Sequence, residues 1–125
     1  MSHKNLDTIQ KHIVIIEDDT SLSQLLGKVL QSEGYRVTSF ETFSTIDELV
    51  ETNADCVLLD EHLPNITGHI ICILLKSKPQ TKAIPVVLMS ADAELQYFAE
   101  LSRADAYIQK PFDKQTLINV INSVL

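Results

Sequence analysis

Positive charge is scarce in this chain of 125 residues: 10 Lys and Arg stand against 17 Asp and Glu, a formal net charge of -7. That balance lacks the basic face needed to grip nucleic acid and disfavours adsorption to anionic membranes. Cysteine is scarcer still. Cys56 and Cys72 each sit inside an apolar segment with no CxxC spacing, which reads as two buried, reduced thiols. No apolar run approaches the ~20 residues of a membrane span. Residues 1–11 are polar and mixed in charge, without the apolar core or small-residue cleavage pattern of a signal peptide. A cytoplasmic location is expected, with no nucleic-acid or membrane partner for this domain. No linker, internal repeat or low-complexity stretch divides the chain, and its length suits one domain with one core.

What is present is a set of short apolar runs alternating with helical patterns. Ile13–Ile16 is a β-branched run of the kind buried on both faces of a sheet. Leu22, Leu25, Leu26, Val29 and Leu30 follow as one helical stripe, with Thr20 or Ser21 as cap and Gly34 as stop. Tyr35–Phe40 reads as an edge strand, Thr45–Val50 as a short helix and Cys56–Leu59 as the central strand. A helix is expected over Gly68–Lys76, a strand over Ile84–Met89 and a helix over Glu94–Ser102 with Leu95, Phe98, Ala99 and Leu101 as its apolar set. Ala106–Gln109 is a last short strand. Asp113 caps a final helix whose Leu117, Val120, Ile121 and Val124 share a face. Strict alternation with short connections implies right-handed crossovers and a doubly wound parallel sheet covered on both sides, an α/β fold of five βα units. Residues 1–11 are expected to be a flexible tail and 12–125 the domain.

Several of these runs end on reactive groups: Glu17-Asp18-Asp19, Asp60, Ser90 and Lys110. In a parallel sheet such endings lie along one edge, where open α/β sheets place their sites. Two adjacent carboxylates raise each other's pKa unless a cation intervenes. Mg²⁺ is usually held by one or two carboxylates with phosphate and water. Asp60 is a candidate nucleophile, because a carboxylate can take a phosphoryl group as an acyl phosphate. Ser90 can donate to one phosphoryl oxygen and Lys110 can neutralise another. Taken singly, each has a plainer reading: acids at a helix start, a turn aspartate, a turn serine, a surface lysine. Their coincidence at strand ends makes the plainer readings weak together.

The ordered set Ile-Ile-Glu-Asp-Asp at 15–19, Leu-Leu-Asp-Glu-His-Leu-Pro-Asn-Ile-Thr-Gly at 58–68, Pro-Val-Val-Leu-Met-Ser-Ala at 85–91 and Ala-Tyr-Ile-Gln-Lys-Pro-Phe at 106–112 resembles the receiver domain of two-component response regulators. The resemblance covers about Ile13 to Leu125. It implies a flavodoxin-like three-layer fold of strand order 2-1-3-4-5. It implies that Asp60 accepts a phosphoryl group from a sensor histidine kinase or a histidine phosphotransfer protein. Glu17, Asp18, Asp60 and the backbone carbonyl of His62 would hold Mg²⁺ or Mn²⁺. Ser90 and Lys110 would hold the phosphoryl oxygens, and Ser90 and Tyr107 would form the switch that changes binding to a downstream effector. His62 and Asp92, two residues beyond Asp60 and Ser90, would set phosphate lifetime.

Three features depart from the family's commonest pattern. Glu17 and Ser90 replace an Asp and a Thr, which keeps the chemistry. Arg103 stands where Gly is usual, so either a positive φ is retained at a cost of about 1 kcal/mol or the turn is rebuilt. The third helix is apolar all round, and Ile70, Ile73 and Leu74 on its outer side are expected to form a partner surface, a homodimer contact included. Rival readings fit less well. A haloacid-dehalogenase-type phosphatase needs a second Asp where His62 stands. A flavodoxin-like cofactor carrier needs a phosphate-cradling loop where Glu17 and Asp18 stand. A zinc site at His62 and His69 lacks a third soft ligand. A pseudo-receiver that only docks would not need the full acid, hydroxyl and lysine set.

Overall fold

A computed structural model of the chain describes residues 10–125. Five strands and five helices alternate: β1 His12–Ile16, α1 Thr20–Ser32, β2 Arg36–Phe40, α2 Ile46–Glu51, β3 Cys56–Asp60, α3 Gly68–Lys76, β4 Val86–Ser90, α4 Leu95–Ser102, β5 Ala106–Gln109 and α5 Lys114–Val124. All strand pairs are parallel, in the order β2-β1-β3-β4-β5. This is the flavodoxin-like arrangement expected from the sequence. Residues 1–9 of the expected tail lie outside the described residues. Within the rest of it, Gln10 donates to the Gly34 carbonyl and the Lys11 carbonyl accepts from the Arg36 amide.

The unbroken apolar strands are explained by their two faces. Side chains alternate along a strand. Val14, Ile16, Val57, Leu59, Val86 and Leu88 point to the side covered by α2, α3 and α4. Ile13, Ile15, Cys56, Leu58, Val87 and Met89 point to the side covered by α1 and α5. Each side chain so buried contributes about 1.5–3 kcal/mol. The three middle strands therefore fix the sheet, and the helices follow by covering it.

Some local expectations change. Asp19, not Thr20 or Ser21, caps α1: its side chain accepts from the Leu22 amide. Leu25 does not join the buried stripe and is 60% exposed. Leu101 of α4 is likewise exposed, because α4 turns Leu95 and Ala99 to the core instead. β4 begins at Val86 rather than Ile84: Pro85 has no amide to enter a ladder, and the Val86 amide is fixed by Asp105. Thr45 and Asp113 cap α2 and α5 through their side chains.

Arg103 retains the left-handed backbone (φ 65) at the C-cap of α4, and the Ala104 amide closes the turn on the Ala99 carbonyl. The turn has not been rebuilt to suit a side chain. In α3, Ile71, Cys72 and Leu75 are buried, and the Cys72 thiol faces the Ser102 carbonyl of α4. Part of the all-round apolar character is thus a second buried face. Burial pushes the Cys56 thiol up to about 12 and raises that of Cys72, which keeps both protonated.

Candidate functional site

The carboxyl ends of β1, β3, β4 and β5 meet at one rim. β1 runs into Glu17, β3 ends on Asp60, β4 on Ser90 and β5 runs into Lys110. The register sets Ile16 beside Leu59, Asp60 beside Met89 and Ser90 beside Gln109. The ladder then continues one residue past the regular strands, with the Glu61 amide on the Met89 carbonyl and the Lys110 amide on the Ser90 carbonyl. The parallel ladder thus brings four reactive side chains to one edge.

Lys110 joins two of the acids. Its Nζ lies 2.7 Å from Asp60 Oδ1 and 3.1 Å from Glu17 Oε1. Asp60 Oδ2 accepts from the His62 amide at 3.0 Å. Glu17 Oε2 accepts from the Asp19 amide at 3.1 Å. Glu17, Asp60 and Ser90 are all buried, while Asp18 is open to solvent. Burial raises the Glu17 carboxyl above its usual range, and the Asp60 charge adds to this; the Asp19 amide and Lys110 oppose it but do not win. For Lys110 the balance is reversed. Burial pulls its ammonium down, yet the hydrogen bonds and charges of Asp60 and Glu17 outweigh burial and raise it. The lysine is a firm cation, and the acids around it are short of one.

One carboxylate oxygen from each of Glu17, Asp18 and Asp60 lies within 4.8 Å of the others. Among the described residues this is the group of acids, histidines or thiols close enough to share an ion. Three hard oxygens with one face open to water suit Mg²⁺, which keeps several waters and binds through few carboxylates. His62 and His69 do not converge on a metal. His62 Nε2 stands 3.6 Å from Asp92 Oδ2, whereas His69 Nδ1 is bound to Glu61.

The other expected residues fall around this centre. Ser90 Oγ accepts from the Asp92 amide at 2.9 Å. Asp92 also caps the Glu94 amide, and its carbonyl accepts from Gln109 Nε2. Tyr107 stands on β5 three residues before Lys110, paired with Leu88 in the ladder and 38% exposed. The Lys110–Pro111 bond is cis. Ile70 and Ile73 are 41% and 39% exposed on α3, with Leu74 half-buried between the faces.

Two residues at the rim escaped notice in the sequence. Glu61 is only 1% exposed, although a glutamate after a strand ordinarily points to water. Gln109 reaches back to the Asp92 carbonyl. The signal for Glu61 lies in the following segment: Gly68 and His69 return the chain to it, which no periodicity reveals.

Residues 13–122 match the response regulator receiver domain. The chain belongs to this family. Receiver domains are signalling modules of two-component systems and not enzymes, and membership implies a cognate histidine kinase. Relatives include the sensory transduction protein RegX3 of Mycolicibacterium smegmatis, 34% identical over 116 residues, 90% of this chain and 50% of that protein. The phosphate regulon transcriptional regulatory protein PhoB of Rhizobium meliloti is 31% identical over 119 residues, 90% of this chain and 51% of that one. The chain thus spans about half the length of the curated relatives it matches. Among solved structures, the response regulator TrrA of Thermotoga maritima in complex with Mg²⁺ and beryllofluoride is 28% identical, with a TM-score of 0.81, covering 93% of this chain and 100% of that one. The chemotaxis protein CheY4 of Vibrio cholerae shares the fold, with a TM-score of 0.81 at 21% identity and coverage of 94% and 100%. The cluster of Glu17, Asp18 and Asp60 is consistent with the phosphorylation site expected of a receiver. No helix among the described residues is long and apolar enough to cross a membrane.

Proposed function

We propose that this receiver is a phosphorylation-controlled binding switch in which Asp60 accepts a phosphoryl group from a phosphohistidine of a sensor kinase or histidine phosphotransfer protein. The reading rests on one observation: Asp60 stands within 2.7 Å of the Lys110 ammonium and in the same cluster as Glu17 and Asp18. In the transfer, an Asp60 oxygen forms a bond to phosphorus as the bond from phosphorus to the donor imidazole nitrogen breaks, and the freed imidazole takes up a proton. Mg²⁺ would be held by Glu17, Asp18, Asp60 and the His62 carbonyl, and it supplies charge stabilisation for the transferring oxygens. Lys110 neutralises a second oxygen, and the Ser90 hydroxyl donates to a third by giving up its bond to the Asp92 amide.

The new dianion adds strong acceptors at a rim where the hydroxyl and lysine are already tethered. Ser90 moving toward it leaves room on the β4–β5 side, and the exposed Tyr107 ring turns in to fill it. That rearrangement shifts a two-state equilibrium and so changes the surface offered to an effector. His62 and Asp92 face each other across the mouth of the site and limit access of hydrolytic water to the acyl phosphate.

Two surfaces fit partners. An apolar groove of about 430 Å³ lies between α1 and α5, lined by Leu22, Leu25, Val29, Phe112 and Leu117, with Lys110 also in its lining. A shared Lys110 suits an amphipathic helix that presents the phosphohistidine. Ile70 and Ile73, with Leu101 across a shallow cleft from Ile73, suit the effector or a second copy. An Ile73→Lys variant that leaves self-association and every partner unaffected removes this second surface from the account.

The deciding experiment treats wild type and Asp60→Asn with acetyl phosphate and Mg²⁺ and measures intact mass. Wild type is expected to gain one phosphoryl group, the variant none. Equal labelling, or none in either, overturns the reading.

A further inference from the structure

The segment between β3 and α3 leaves the phosphoacceptor and returns to it within a few residues. Its two ends are fastened to each other by Glu61. The Glu61 carbonyl accepts from the Gly68 amide at 2.9 Å. Its Oε1 accepts from the His69 amide at 2.8 Å, and its Oε2 is 2.5 Å from His69 Nδ1. A carboxylate can only accept, so Nδ1 carries the hydrogen. The carboxylate is buried, and the His69 side chain is only 16% exposed. The far side of the imidazole stacks on Phe98 of α4, with centroids 4.7 Å apart and planes 4° from parallel. Gly68 completes the closure: a Cβ there would collide with the Asp60 carbonyl oxygen and reach 2.9 Å from the Glu61 Cα.

A buried glutamate beside an acidic metal cluster is unfavourable unless it is paired and its oxygens are satisfied. Here both oxygens are taken by one residue, His69, itself held from behind by Phe98. The chain just after Asp60 is therefore tied to the start of α3. His62, one residue beyond Glu61, is fixed through the same segment, with its amide already bound to Asp60 Oδ2.

Resting on the function proposed above, we infer that Glu61 and His69 are positioning residues: together they clamp the segment that carries the His62 carbonyl, and so set the affinity of the site for Mg²⁺ without touching the ion. Groups that hold a ligand in place from behind are worth about 10–100-fold in metal affinity. A carbonyl on an otherwise irregular segment depends on such support.

The test is a calorimetric titration of the unphosphorylated chain of 125 residues with Mg²⁺ alone, beside the metal-free Tm of each variant. His69→Phe keeps a ring against Phe98 and removes the donor; its Kd is expected to rise about 10-fold. His69→Asn places an amide donor near the position of Nδ1 and is expected to recover most of the affinity, though it loses the stack. A merely structural role predicts the opposite pattern, with Tm falling in both variants and Kd moving in neither. Unchanged Kd in His69→Phe, or equal weakening in His69→Asn, overturns the clamp. Should His69→Phe not fold, the double replacement Glu61→Leu with His69→Leu takes its place. Exchanging a buried pair for apolar residues is often neutral for stability, so its metal affinity is informative: a 10-fold loss supports the clamp and a wild-type Kd ends it. If the clamp inference alone is wrong, the wild type still binds Mg²⁺ and is phosphorylated while the variants bind it equally well, whereas a wild type that binds no Mg²⁺ overturns both readings.

Discussion

The rim of the sheet and the layer one residue beneath it are equally buried and made of opposite material. Ile16, Leu59 and Met89 are fully covered hydrocarbons and thioether; Glu17, Asp60 and Ser90, each the next residue in its strand or just after it, are covered polar groups. Beneath, burial is the driving force. At the rim, burial works against the fold, as the raised Glu17 carboxyl records. The sheet is stabilised by its interior and spends part of that stability on holding acids together at its edge. An edge that crowds acids in this way is relieved by a bound cation.

The contrast can be broken most heavily from below. Leu59→Ala should destabilise by about 2–5 kcal/mol, since the residue is fully buried between β1 and β4. Urea unfolding checks it, and a loss under 1 kcal/mol would mean that the interior collapses around the gap. At the rim the sign reverses. The Glu17 carboxyl is raised on folding, so the fold is unpenalised below the usual glutamate range and loses stability as pH rises through the raised value. Glu17→Gln should therefore raise the metal-free Tm at pH 7, with the gain vanishing as pH falls below the range in which Glu17 ionises. The same variant should weaken Mg²⁺ binding about 10-fold or more. A lower Tm for the amide would show that the Lys110 pairing outweighs burial.

Smaller effects sharpen the comparison. His62→Ala should shorten the lifetime of phospho-Asp60 by about threefold to tenfold, roughly 0.7–1.4 kcal/mol of barrier, measured as decay of radiolabelled protein; slower decay would show that the imidazole assists water instead. At the opposite end of the sheet, Arg103→Gly should stabilise by about 1 kcal/mol by relieving the left-handed backbone, and it should leave phosphorylation unchanged.

Much of this was legible in the chain because the two regions speak in different signals. Strand runs such as Ile13–Ile16 and Cys56–Leu59 declare burial on both faces by their composition alone, and the fold follows from their alternation with helices. The rim residues Glu17, Asp60, Ser90 and Lys110 are legible because each ends such a run. Leu25 and Leu101 share in the apolar patterns yet stay exposed, because helical spacing marks a stripe wider than the face that finds cover. Asp19 displaced Thr20 and Ser21 as the cap because the choice of first turn depends on how the chain leaves the rim. Glu61 was invisible for a deeper reason: its partner is reached only through the path of an irregular segment, and neither propensity nor period describes that path.

Gly68 carries no chemistry, yet its bare α-carbon lies against the backbone of Asp60 and Glu61. In a library covering every substitution, selected for signalling, its column should be nearly as empty as that of Asp60 itself. A survey of tolerated variants would then rank an inert hydrogen atom beside the carboxylate proposed to be phosphorylated. Vulnerability in this molecule follows proximity as much as reactivity.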